Sequence, residues 1–382
     1  MARPYLPGHH AVPLQQWPPL DQAAWAIALN PDDPDDDEIR HAVGLRPRTH
    51  DTLVGAYGRW LAYLHGQGIP LAGLMVAAGV TPEHAKSYVP FLRARGCASV
   101  TISSYLGHLH AMVRYMDPER DWQWLCRLQA RMNRRAEPSR LKATRIVPQR
   151  DLFRLGCDLM QRALDQPPLT TTATSSEHDP ALLFRDGFAI ALLSLNPLRR
   201  GNFLGLEIGR HLIRDGEGRT VLIPPTETKN KRSFELPFPD CLEPALELYL
   251  ALYRPRLIAM RGGVDPAREL REAGQKLWIA RSGMPMSPGA LTKALARHCL
   301  ARFGHTVNAH LFRDCAVTSL GDEVPEDIRM AARLLGHASF STTERHYILA
   351  LGKHAFRRHE QRIHEMQGDT RPRRVRRDGT GT

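Results

Sequence analysis

The sequence predicts a mainly α-helical protein with one small antiparallel β-sheet, divided between two domains. Three observations carry that expectation. Apolar residues recur every three or four positions through most of the chain. Residues 211–238 change to short β-type runs separated by turn residues. A basic, Pro-containing segment with little periodicity separates two helical regions, as an interdomain linker would. The 382 residues accommodate two or three domains at roughly 100–200 residues each.

Taken in order, residues 1–48 are rich in Pro, His and Asp and read as a flexible arm. A helical domain is expected over 49–132. Its first helix starts at Thr49, with Leu53, Tyr57, Trp60, Leu61 and Leu64 on one face. Leu74–Ala78 and Pro82–Arg93 suggest two more helices. A further helix has Thr101 as N-cap, an apolar stripe of Ile102, Tyr105, Leu106, Leu109, Val113 and Met116, and a stop at Asp117-Pro118. The linker spans 133–147. The second domain, 148–366, opens with a helix over 149–164 and a polar insertion, DQPPLTTTATSSEHDP. The apolar helix ALLFRDGFAIALLSL follows. RTVLIPP and SFELPFP supply strands, with Gly216 and Gly218 at one turn and TKNKR at another. Ser287-Pro288 reads as N-cap and N1 of a later helix. Residues 367–382 form a basic tail, and no internal repeat is visible.

The charge balance narrows the partners. Lys and Arg number 52 against 40 Asp and Glu, a net +12, which favours a polyanion. Six acids crowd positions 32–38, so the remainder is more basic still. From Arg131 to Arg150 there are seven basic residues and one acid, Glu137. No basic helix has an apolar face wide enough for a membrane surface, no run of about 18 apolar residues suggests a span, and the N-terminus lacks the apolar core of a signal peptide. The six scattered cysteines contain no CxxC pair, so a reduced, cytoplasmic protein is expected.

Four segments of the second domain place polar residues inside apolar contexts. NPLRRGNFLGL holds Arg199 and Arg200, and TKNKR is a basic turn. HLFRDCAVTSL sets His310 and Arg313 at i and i+3, one helical face. LLGHASFSTTERHYI has His337, with Tyr347 ten residues later. Each alone is what a surface charge or a core residue would give; their joint occurrence, in order, is the signal. Together they supply phosphodiester attack without a metal. Two arginines can fork onto non-bridging oxygens. Histidines can donate to those oxygens or move the nucleophile's proton. A lysine can protonate a leaving oxygen, and a tyrosine can attack to form a covalent intermediate. Two-metal catalysis would need a carboxylate cluster beside these segments, and the acids at 32–38 lie elsewhere. No cofactor is implied.

In order and wording these segments resemble the tyrosine recombinase family, which includes phage integrases and chromosome-dimer resolvases. The likeness covers roughly 49–366, with the specific motifs between 195 and 347. It implies a two-domain DNA clamp, a helical core-binding (SAM-like) domain joined to a catalytic domain, and site-specific strand exchange through a 3′-phosphotyrosyl link that integrates or excises mobile DNA. The resemblance puts the first catalytic arginine at Arg199. Lys229, eight residues before Pro237, matches the hairpin lysine, with Lys231 the alternative. His310 and Arg313 match the H-x-x-R box, Leu335-Gly336-His337 the LGH box, and Tyr347 the nucleophile. Two departures stand out. Asn202 occupies a position that is acidic in many members and buttresses the site. The commoner tyrosine spacing falls on His346, one residue early. The resemblance further implies DNA contacts from the basic stretch that includes the linker (Arg131, Arg134, Arg135, Arg140, Lys142) and from the helix after Ser287 (Lys293, Arg297, Arg302). It also implies a homotetramer on DNA through the C-terminal helix HAFRRHEQRIHEM, and nucleoid association. A type IB topoisomerase and a non-catalytic DNA-binding protein are the alternatives.

Overall fold

The computed structural model describes residues 11–30, 42–71, 75–137, 143–166, 179–216, 218–228, 231–260 and 273–323. The chain divides into two compact units, Met1–Leu141 and Lys142–Thr382.

The first unit is helical: α1 (Pro19–Leu29), α2 (Pro47–Gly66), α3 (Pro82–Ala94), α4 (Ser99–Met116) and α5 (Gln123–Arg134). Its core is aromatic, with Trp17, Trp25, Tyr57, Trp60, Tyr88 and Trp122 all buried. Leu106 and Val113, from the predicted stripe, fill it from α4. Three expectations change here. Residues 11–30 are no flexible arm: Trp17 and Trp25 are 2% and 1% exposed, and burial of rings this large offsets the entropy of ordering the segment. The run Leu74–Ala78 makes a turn over its described part, with Ala77 at φ 51°, outside helical geometry. Thr101 lies inside α4, which begins two residues earlier after Ala98. At the centre sits Asp21, 3% exposed, accepting from the Tyr57 hydroxyl and the Ala77 N–H, both at 2.7 Å.

The second unit contains α6 (Gln149–Leu164), α7 (Pro180–Leu195), α8 (Arg200–Gly205), and an antiparallel sheet of β1 (Leu212–Asp215), β2 (Gly218–Ile223) and β3 (Phe234–Pro237) in that order. In register, Ile213 faces Thr220 and Val221 faces Leu236. A helix follows in three parts: α9 (Glu243–Leu248), a π turn (Tyr249–Tyr253) and α10 (Arg254–Ala259). α11 (Pro288–Phe303) and α12 (Ala309–Glu323) complete the described fold. Ser287 caps α11 as its sequence position suggests, accepting from the Ala290 N–H at 3.1 Å.

α7 is apolar on nearly all sides and buried on nearly all sides. It meets α6 through two glycines. A Cβ on Gly156 would sit 2.6 Å from the Ala191 nitrogen, and one on Gly187 2.7 Å from the Gly156 oxygen, so only glycine permits this crossing. The mainly α architecture with a small antiparallel sheet and two units is as the sequence predicts. Among the described residues, no helix is long and apolar enough to cross a membrane.

Candidate active site

The turn between α7 and α8 carries the first predicted arginine. Asn196 ends α7, and its side-chain amide donates to the Pro237 carbonyl at the end of β3, 3.0 Å away. Arg199 is the N-cap residue of α8, and its carbonyl accepts from the Phe203 N–H at 2.9 Å. Trp278 fixes α8 from beneath, its indole N–H donating to the Phe203 carbonyl.

α12 carries the H-x-x-R pair. Asn308 caps it, accepting from the backbone N–H groups of His310 and Leu311 at 3.1 and 3.0 Å. Five of the seven residues from Leu311 to Val317 are ordinary core residues. The exceptions to apolar burial are Arg313 and Asp314, at 4% and 5% exposure, while His310 is exposed one turn earlier. An Nη1 of Arg313 donates to the Pro197 carbonyl at 2.5 Å, tying α12 to the Arg199 turn across 116 residues of sequence. Burial pulls the Arg313 guanidinium down to about 10, and the nearby charge of Arg199 acts in the same direction, against Asp314. The two predicted arginines are therefore neighbours.

The third motif is described only at its neck. The Thr228 hydroxyl, buried, accepts from the Arg232 N–H at 3.1 Å and donates to the Arg232 carbonyl at 2.7 Å, closing the TKNKR turn. Lys231 is exposed at φ 52°. Glu227, just before the turn, binds Arg210 and stands 3.2 Å from Nε2 of buried His211. His211 Nδ1 accepts from the Glu207 N–H at 3.1 Å. Hydrogen bonds from Lys276 and Arg210 hold the Glu207 carboxyl at about 2. Lys229, the Leu335-Gly336-His337 box and Tyr347 lie outside the described residues, as do His346 and the C-terminal helix segment.

The predicted DNA-contact residues divide. Arg131, Arg134 and Arg135 are exposed near the end of α5, and Lys293 and Arg302 are exposed on α11. Arg140 and Lys142 lie outside the described residues. Arg297 is engaged internally, its Nη2 2.8 Å from Oδ2 of Asp186, which is 1% exposed. His298 Nε2 lies 3.0 Å from the same oxygen, and Arg185 takes the other oxygen at 2.5 Å. Burial pushes the Asp186 carboxyl up, but Arg185 and His298 outweigh it and hold the group below its ordinary value. Sequence reasoning missed this cluster, since the acid and its α11 partners stand 111 and 112 positions apart. Among the described residues, no three His, Cys, Asp or Glu side chains gather as a metal site.

The chain has the two-domain fold seen in solved site-specific recombinases. Two solved structures of XerH recombinase share it. The complex with difH substrate before cleavage aligns at TM-score 0.50 and 15% identity, covering 78% of this chain and 76% of that one. The post-cleavage complex with a palindromic difH substrate aligns at 0.51 and 13%, covering 78% and 75%. In sequence, the tyrosine recombinase XerC of Azotobacter vinelandii is 23% identical over 306 residues, 80% of this chain and 88% of its own. No family model matches the chain. The chain is thus similar to tyrosine recombinases in sequence as in fold.

Proposed function

We propose that the chain is a DNA strand transferase that cleaves and rejoins specific sites through a 3′-phosphotyrosyl link. The observation that carries this reading is the juxtaposition of Arg199 and Arg313. Two guanidiniums held together, one of them buried, cost electrostatic energy that an arriving phosphate relieves. The Arg313 bond to the Pro197 carbonyl fixes its guanidinium beside the turn that carries Arg199.

In the proposed reaction both arginines bind the non-bridging oxygens of the scissile phosphate, with His310 beside them and His337 as a further donor. The Tyr347 oxygen attacks phosphorus and passes its proton to a neighbouring histidine. The bond to the 5′-oxygen breaks, and Lys229 protonates that leaving oxygen. Reversal by a different 5′-hydroxyl completes exchange, with no net loss of phosphodiester energy and so no call for ATP. Arg131, Arg134, Arg135, Lys293 and Arg302 would neutralise phosphates along the duplex, giving affinity and register rather than sequence choice. The likeness to XerC, and to XerH solved on its difH substrate, supports a DNA partner. Integration or excision of a mobile element, by a homotetramer joined through the C-terminal segment, completes the proposal.

The test is a nicked suicide duplex taken from repeats flanking the gene. The wild-type chain should form a covalent adduct that survives denaturation, and Tyr347→Phe should abolish it. An adduct from Tyr347→Phe would make another residue the nucleophile. Specific binding to such DNA with no adduct from the wild type would favour a non-catalytic binder on the same fold.

A further inference from the structure

We propose that Gln149 is a positioning residue that keeps the Arg199 turn and the Arg313 helix in register. This deepens the strand-transfer reading and rests on it for its activity readout.

Gln149 is the first residue of α6, where a backbone N–H has no partner within its own helix. That N–H donates to the Ser319 hydroxyl on α12 at 2.8 Å. The Gln149 side-chain amide donates to the Ser194 carbonyl at 2.7 Å, in the last turn of α7, where carbonyls likewise lack a helical partner. One residue thus joins the ends of two helices to the side of a third. The placement matters because the joined groups flank the arginine pair. Ser194 lies five residues before Arg199, and Ser319 six residues after Arg313.

Neighbouring bonds reinforce the same seam. The Val147 N–H donates to Cys315 Sγ at 3.4 Å, and Arg145 donates to the carbonyl and, at 3.2 Å, the hydroxyl of Thr306, just ahead of α12. The Gln149 amide works beside the Arg313–Pro197 bond, which joins the two arginine segments directly. That bond uses the group that must also face the anion. Both guanidiniums must reach one phosphate at once, and misplacement by about 1 Å costs on the order of 10²-fold in rate.

The experiment compares Gln149→Glu and Gln149→Ala with the wild-type full chain. Gln149→Glu keeps the shape but removes the donor while the introduced carboxyl is ionised. At pH 8 and saturating suicide duplex, both variants should form adduct at least about tenfold more slowly than the wild type. As pH falls and the carboxyl protonates, it can donate again, so the Gln149→Glu deficit should shrink while that of Gln149→Ala stays constant. A deficit in Gln149→Glu that ignores pH overturns the proposal, as do wild-type rates in both variants or a loss that merely follows melting temperature. Ser319→Thr should retain the rate and Ser319→Val lose it. Calorimetry with inorganic phosphate separates this idea from the function it rests on. If the wild type forms no adduct yet binds phosphate about tenfold more tightly than Gln149→Glu at pH 8, the clamp stands and strand transfer fails. Equal phosphate affinities, or none in the wild type, overturn the clamp.

Discussion

Each unit holds a deeply buried aspartate, Asp21 in the first and Asp186 in the second, and their carboxyls are shifted in opposite directions. Asp21 receives neutral donors, the Tyr57 hydroxyl and the Ala77 N–H, and burial wins, so its carboxyl is raised. Asp186 is more deeply buried, yet Arg185 and His298 hold its carboxyl below the ordinary range. Burial alone does not fix the charge state of a buried acid; the charge of its partners does. The first aspartate staples a helix pair and a turn. The second gathers cations from α7 and α11, and its removal strands them.

The largest expected effect follows from that asymmetry. Asp186→Asn leaves Arg185, 5% exposed, without its counter-charge, and should destabilise the second unit by about 3–5 kcal/mol. Urea unfolding followed by hydrogen exchange on α7 and α11 would measure it, and a loss under 1 kcal/mol would refute the counter-charge argument. Asp21→Asn should cost less, about 1 kcal/mol, because its partners are neutral donors and the Tyr57 hydroxyl can rotate to accept.

Titration sharpens the contrast. Asp21, with its folded pKa raised, contributes stability below its unfolded value of 3.8 and loses it as pH rises through the folded value. Asp186, with its folded pKa lowered, contributes stability above 3.8 and loses it as pH falls through the folded value. Exchange protection in the two units should therefore respond to acid with opposite signs from these groups, and Asp21→Asn should remove the component in the first unit alone. The smallest effect belongs to Arg297→Ala. Its side chain is 45% exposed, so solvent screening holds the loss to about 0.5–1 kcal/mol.

Much of this was legible in the sequence. The stripe on α4, the Ser287 cap and the small sheet each depend on local spacing, which a sequence displays directly. What stayed hidden depends on distance along the chain. Trp17 and Trp25 sit in a Pro- and His-rich stretch whose composition suggests disorder, and only packing against α2 and α4 orders it. Arg297 reads as a solvated charge until Asp186, 111 positions earlier, is placed beside it. Gln149 is an ordinary helix-starting residue by sequence; its bonds to Ser194 and Ser319 exist only in three dimensions.

The glycine crossing of α6 and α7 gives those bonds a mechanical setting. Gly156 lies seven residues from Gln149 along one helix, and Gly187 seven residues from Ser194 along the other. At 1.5 Å per residue, the contact point is a fulcrum about 10 Å from the amide bond that pins the two ends. The helices behave as the blades of a pair of scissors, riveted at the glycines. Any side chain added at the rivet spreads the tips, and the tips carry the arginine turn.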